Sequence, residues 1–165
     1  MATTHTRPVM DADPSRTVTR PLDYVWSIVR ISIGWVFLWA FLDKAFGWGF
    51  ATPADRAWIN GGSPTTGFLK GSNFAALAGQ PWVDWLFMAG LLGVGLALVL
   101  GIGTRLAAAA GGLMLALMWA AGLPLANNPF MDEHIIYAMV LIGLAMAGAG
   151  DTLGLGKLVR NPYLK

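Results

Sequence analysis

Two stretches of this chain, Trp85 to Thr104 and Leu106 to Met131, carry no charged side chain, and only Arg105 stands between them. A helix needs about 20 predominantly apolar residues to cross the hydrocarbon core of a bilayer, and both stretches reach that length. A segment in lipid has to satisfy its backbone polar groups internally, so helix is the form such a run takes. Arg105 then occupies a very short turn, and the two helices form an antiparallel hairpin. Two further apolar segments qualify, which places spans near 24–46, 82–103, 105–124 and 129–150. The expected fold class is an all-α membrane protein: a four-transmembrane-helix bundle with a long outer loop, residues 47–81, between helices 1 and 2. A chain of 165 residues that is 56% hydrophobic and only 12% charged fits that class better than a soluble globule.

Residues 1–23 hold Arg7, Arg16 and Arg20 among prolines and acids, with no apolar run. They read as a flexible cytoplasmic tail, not a cleavable signal peptide, and residues 151–165 read as a second cytoplasmic tail. Lys and Arg accumulate on the cytoplasmic side of membrane proteins. With the N-terminus inside, Arg7, Arg16, Arg20, Arg30, Arg105, Lys157, Arg160 and Lys165 fall on that side, and Lys44, Arg56 and Lys70 fall outside. The expectation is a multi-pass cell-membrane protein with both termini cytoplasmic. In this frame Arg30 extends to the inner headgroups.

The loop from Gly47 to Pro81 is too long for a tight turn and holds Trp48, Trp58, Phe68 and Phe74. Loops of this length are functional or disordered, and the aromatic content favours an outer lid with a short helix around Pro53–Ile59. Taken singly, Trp48, Trp58 and Trp82 read as interfacial anchors. Small residues at Ala89, Gly93, Ala97 and Gly101, four apart, suggest a ridge for close helix packing in lipid. Ala108, Gly112, Ala116 and Ala120 on the third span, and Gly143 and Ala147 on the fourth, extend the pattern. None of these glycines follows a strand, so none forms a nucleotide loop.

The chain has no cysteine, which removes thiolate chemistry, disulfides and iron–sulfur clusters. With two histidines, one of them His5 in the tail, no bis-His haem is expected within the chain. No flavin or nicotinamide fingerprint and no metal site is evident, and Met114, Met118, Met139 and Met146 read as bundle core.

Charge instead gathers at the predicted outer helix ends: Asp43 and Lys44, Asp84, and Asp132, Glu133 and His134. Asn128 followed by Pro129 is a favourable helix start, and acids in the first turn favour the helix dipole. That reading covers the acids but not His134. Ile135 to Gly150 is also shorter than a full span, which draws the Asp-Glu-His group toward the hydrocarbon boundary. Ionisable groups at that depth mark functional sites. His134, Glu133 and Asp132 are therefore the candidate catalytic residues, with His134 able to exchange a proton near neutral pH. Trp35, Trp39 and Asp43 share one helix face. With Lys44 and with Tyr137, four residues beyond Glu133, they are the candidate cofactor-binding set. Lys44 is either solvated or paired across the bundle with Glu133 or Asp132.

Four segments are familiar: Leu38 to Lys44, Leu100 to Leu106, Asn127 to Tyr137, and Gly148 to Leu155. In these the chain resembles the DoxX/DoxD-like integral membrane protein family. The resemblance implies a four-helix membrane bundle similar to the membrane subunit of thiosulfate:quinone oxidoreductase. The activity it implies is oxidation of a small sulfur compound such as thiosulfate, with quinone as acceptor and cofactor. Asp43, Lys44, Asp132, Glu133 and His134 match its recurring polar positions.

Two function classes follow. One is a quinone-dependent oxidoreductase subunit acting on a sulfur donor, in which Lys44 or Arg56 attracts the anionic substrate. The other is a non-catalytic membrane scaffold or accessory subunit of a redox-stress or respiratory complex. The expected partners are the lipid bilayer, a partner redox subunit or respiratory complex, and further copies of the chain, with no nucleic acid. A small transporter fits less well, since no inverted repeat or pair of broken helices is seen.

Overall fold

In a computed structural model, residues 20–159 are described; the expectations for the two tails fall largely outside them. The chain forms α1 (Pro21–Phe46), α2 (Thr66–Leu69), α3 (Pro81–Leu100), α4 (Thr104–Ala121) and α5 (Glu133–Ala147), with single 3-10 turns between some of them. The four longer helices run alternately up and down, and each packs on its neighbours in a ring, α1 on α3, α3 on α4, α4 on α5 and α5 on α1. No strand is present among the described residues.

The helix ends follow local chemistry. Pro21 and Pro81 occupy first helical positions, where a missing N–H costs nothing. Asp23 accepts the Arg20 backbone N–H at 2.8 Å, so the helix begins ahead of the expected residue 24. The fourth long helix starts later than expected. Asn128 does not cap it; its Oδ1 accepts the N–H groups of Phe130 and Met131, both at 2.9 Å, in a local turn. Asp132 takes the capping role.

Three helices, α1, α3 and α4, are long and apolar enough to cross a membrane. The fifteen residues of α5 are also apolar, but at 1.5 Å per residue they rise only about 22 Å. The bundle core holds Ile33 and Phe37 from α1, Met88, Leu91 and Leu98 from α3, Leu115 from α4, and Leu141 and Leu144 from α5.

The small-residue ridge does not pack as a unit. Ala89 and Gly93 are exposed, while Gly101 is buried at the far end of α3. A strict spacing of four drifts around a helix by about 40° per step, so its members cannot all stay on one face. The close approaches fall elsewhere. A Cβ on Gly95 would meet Leu38 Cγ at 2.7 Å and the Leu38 backbone nitrogen at 2.9 Å, whereas one on Gly93 would meet nothing within 4 Å. Gly95→Ala is therefore expected to destabilise the bundle by roughly 1–3 kcal/mol through overpacking, against a gain of about 1 kcal/mol in helix propensity. Gly93→Ala retains the gain alone. Unfolding of the two variants in the same detergent should place them on opposite sides of the wild type, and identical shifts would contradict this packing.

Arg30 does not reach toward the headgroups. It is 0% exposed, and its guanidinium donates to the carbonyls of Leu98, Val99, Thr152 and Leu153. Leu98 and Val99 lie in the last turn of α3, whose carbonyls lack N–H partners four residues on. Arg30 supplies those donors and ties α1 to the end of α3 and to the segment after α5. Ser27 adds a bond of 2.7 Å to the Thr152 carbonyl. Extension to the headgroups would have left the Leu98, Val99 and Leu153 carbonyls without this donor, Leu98 in a buried site.

Candidate functional site at the lid end of the bundle

The connection between α1 and α3 folds over one end of the bundle as a lid, and two buried carboxylates fasten it. Asp43, in the last turn of α1, accepts the backbone N–H groups of Phe50 and Ala51 at 3.3 and 3.0 Å. Asp84, in the first turn of α3, accepts three donors on one oxygen: the Ser63 hydroxyl at 3.0 Å, the Thr65 amide at 3.1 Å and the Thr65 hydroxyl at 2.5 Å. A carboxylate buried among apolar helices needs such donors; here the backbone amides and hydroxyls of the lid provide them. Pro53–Ile59 forms two 3-10 turns, at Ala54–Arg56 and Trp58–Asn60, where a short helix was expected.

Aromatic rings line the outside of this end. Trp39 lies 5.9 Å from Trp35, 5.5 Å from Trp48 and 5.0 Å from Phe50, centroid to centroid. Trp58 meets Trp85 edge to face at 4.6 Å. Trp35, Trp48, Trp82 and Trp85 are all exposed. Exposed indoles near helix ends, as at Trp48, Trp82 and Trp85, suit an interfacial belt.

Asp132 and His134 meet at the start of α5. Nδ1 of His134 lies 2.7 Å from Oδ2 of Asp132, and the Ile135 N–H donates to Oδ1 at 3.2 Å. Glu133 is exposed, and Tyr137 packs at the edge of the core. The three side chains Asp132, Glu133 and His134 bring potential ligand atoms within 4.8 Å of one another, but two of them are already engaged, in the cap and in the pair. No hydrogen bond or ion pair among the described residues joins them to Asp43, Lys44 or Asp84. The lid end thus has three separate polar stations, each serving its own backbone, in place of one polar cavity shared by three helices.

Burial works to raise the Asp132 carboxyl, but the hydrogen bonds from His134 and Ile135 and the charge of His134 outweigh it, and the group is held below its ordinary value. A carboxylate depressed in the folded state adds stability that is complete above its unfolded value, near about 4, and lost as pH falls through the folded one. Thermal unfolding between pH 6 and 3 should show an acid limb that Asp132→Asn flattens, because the amide keeps the cap but does not titrate. Parallel limbs for variant and wild type would remove this assignment.

Beneath the lid lies a cavity of about 380 Å³. Phe68, Leu69, Phe74 and Leu77 cover it from the lid. Leu86, Phe87 and Gly90 of α3 and Leu113, Met114, Leu117 and Met118 of α4 form its walls. Among the described residues, Thr65 is the one polar residue that lines it. Leu86, Leu113 and Leu117 are more than half exposed, so the rim faces whatever surrounds the helices. Sequence reasoning placed Phe68 and Phe74 in the lid and Met114 and Met118 in the core, but did not join them into a cavity. The signal was the apolar spacing of Phe68, Leu69, Phe74 and Leu77 in a loop otherwise rich in Gly, Ser and Thr.

The family model described as DoxX matches residues 25–123, more than half of the chain. The chain belongs to the DoxX family. The match takes in α1, the lid, α3 and α4, and with them Asp43, Lys44, Asp84 and the whole lining of the cavity; it stops short of Asp132, Glu133 and His134. No curated protein and no solved structure matches the chain significantly. Family and apolar helices together make this an all-helical membrane protein. In this DoxX-family chain the lid end holds the fastened loop, the aromatic rings and the cavity at once.

Proposed function

We propose that this chain is a membrane subunit of quinone-linked redox metabolism, and that the quinone occupies the cavity under the lid. The cavity carries the reading. Its volume lies within the roughly 300–1,000 Å³ range of small-molecule sites, its walls are apolar and soft, and its exposed leucine rim offers entry to a hydrocarbon-tailed ligand from the bilayer. In this reading the apolar slot is the cavity between the lid, α3 and α4 in preference to the Trp35–Trp39 face, where Trp35 lies exposed.

The proposed electron donor is a small sulfur compound such as thiosulfate, approaching the lid from outside, where Arg56 and Lys70 are exposed. Asp132 and His134 are the proposed proton-exchanging pair at that surface. The orientation is the one with Arg30, Arg105 and Lys157 cytoplasmic and the lid outside, α5 completing a fourth, short span. Lys44, Arg56 and Lys70 are the only cations then facing outward.

The test is binding of decyl-ubiquinone to the purified protein in lipid nanodiscs, with Ala110→Phe as the blocking variant. Ala110 lines the cavity and is itself exposed, so a larger side chain there fills the space without entering the bundle core. Saturable binding that falls at least tenfold in the variant supports the proposal. Absence of saturable binding in the wild type would sink it and turn attention to an accessory role beside a partner subunit.

A further inference from the structure

The hydrogen bonds at the cavity wall carry a preference between the two redox forms of a quinone. Thr65 is 1% exposed, and among the described residues it is the sole polar one lining the cavity. Its hydroxyl proton is directed at Asp84 over 2.5 Å, and its amide proton goes to the same carboxylate oxygen. The Gly79 N–H approaches the Thr65 oxygen from the lid at 3.4 Å. A hydroxyl has one proton and two acceptor sites, so beyond its contacts to Asp84 and Gly79 the Thr65 oxygen has no proton left and one lone pair uncommitted. Ser63, the other hydroxyl on Asp84, is likewise committed as a donor, and it also accepts from the Thr66 hydroxyl at 2.8 Å.

A wall of this kind accepts hydrogen bonds and offers none. A quinone carbonyl, which needs a donor, finds only an oxygen lone pair there. A quinol hydroxyl, which is itself a donor, finds its partner, and the chain from Thr65 to the Asp84 carboxylate strengthens that acceptor, because a hydroxyl that donates to an anion becomes a better acceptor. We propose that the lid cavity is a quinol-selective site, with Thr65 accepting the quinol hydroxyl and Asp84 positioning and polarising Thr65. This inference rests on reading the cavity as the quinone site and adds which redox form it holds. Asp84 acts here through Thr65 and is a positioning residue.

The experiment compares decyl-ubiquinol with decyl-ubiquinone, each titrated anaerobically into nanodisc-embedded wild type, Thr65→Val and Thr65→Ser. One hydrogen bond gained by one form and refused to the other predicts a preference for the quinol of about tenfold. Thr65→Val keeps the shape and removes the acceptor, so the two forms should bind with equal affinity, set by the apolar walls. Thr65→Ser restores the hydroxyl and should recover the preference, which separates loss of the hydrogen bond from general damage to the lid. Equal binding of both forms by the wild type, or preference for the quinone, would overturn the inference while leaving the cavity as a quinone site. Binding of neither form would overturn both.

Discussion

Replacement of Arg30 by alanine is expected to destabilise the bundle by about 3 kcal/mol or more, since each buried acceptor left without a partner costs roughly 1–3 kcal/mol. Three carbonyls, those of Leu98, Val99 and Leu153, lose this donor at once, while Thr152 keeps the Ser27 hydroxyl. The alanine relieves the cost of burying a guanidinium, but the carbonyls remain fixed by the end of α3 and by the segment after α5. Water does not readily reach the buried Leu98 carbonyl, because Gly101 and Gly154 crowd the guanidinium there. A Cβ on Gly101 would come within 3.0 Å of the Gly150 oxygen, the Gly154 Cα and the Arg30 guanidinium.

Arg30→Lys should fall between wild type and alanine. An ammonium has three donors at a single point, whereas the guanidinium reaches four carbonyls from two nitrogens. Reversible unfolding in mixed micelles, followed by helical circular dichroism, would order the three proteins. An alanine variant as stable as wild type would show that the clamp does not hold the bundle together.

Asp84→Ala is expected to release the lid while sparing the bundle. The substitution strips the acceptor from the Ser63 hydroxyl and from both donors of Thr65. The hydroxyls can turn to other partners, but the Thr65 amide cannot. Hydrogen bonds to a charged group are worth about 1.5–3 kcal/mol, so local opening of residues 63–79 should become roughly 10–150-fold more frequent. Hydrogen exchange read by mass spectrometry should show faster exchange across that segment and little change in α4 and α5. Asp84→Asn, which retains one acceptor oxygen, should show a smaller effect. Unchanged lid exchange in Asp84→Ala would mean that the apolar contacts of Phe68 and Leu69 alone hold the loop down.

The apolar periods explain why the helices were legible. The charge-free runs around Arg105 have few alternatives in lipid, and the observed α3 and α4 fall within a few residues of their expected positions. The start of α5 was harder, because Asn128 and Asp132 are both competent caps. Local turn formation at Asn128 decided between them, and the Asp132 cap holds His134 as well. Asp43 and Asp84 were visible as carboxylates at helix ends, but their partners were not. Backbone N–H groups of a lid leave no signature in a list of side chains.

By itself the sequence determined the class of the fold, the α3–α4 hairpin, though its turn is at residues 101–103 and Arg105 lies in the first turn of α4, the lid between the first two long helices and the end of the bundle at which the acids collect. These follow from the solvent a segment tolerates, which depends on composition along the chain. The tertiary structure alone decided that Arg30 is a buried clamp, that Gly95 packs where Gly93 does not, and that the acids fasten separate pieces of backbone. It also placed the cavity between the lid, α3 and α4. Those outcomes depend on which groups from distant segments meet and on the direction of each hydrogen bond, and both are set only when the helices pack.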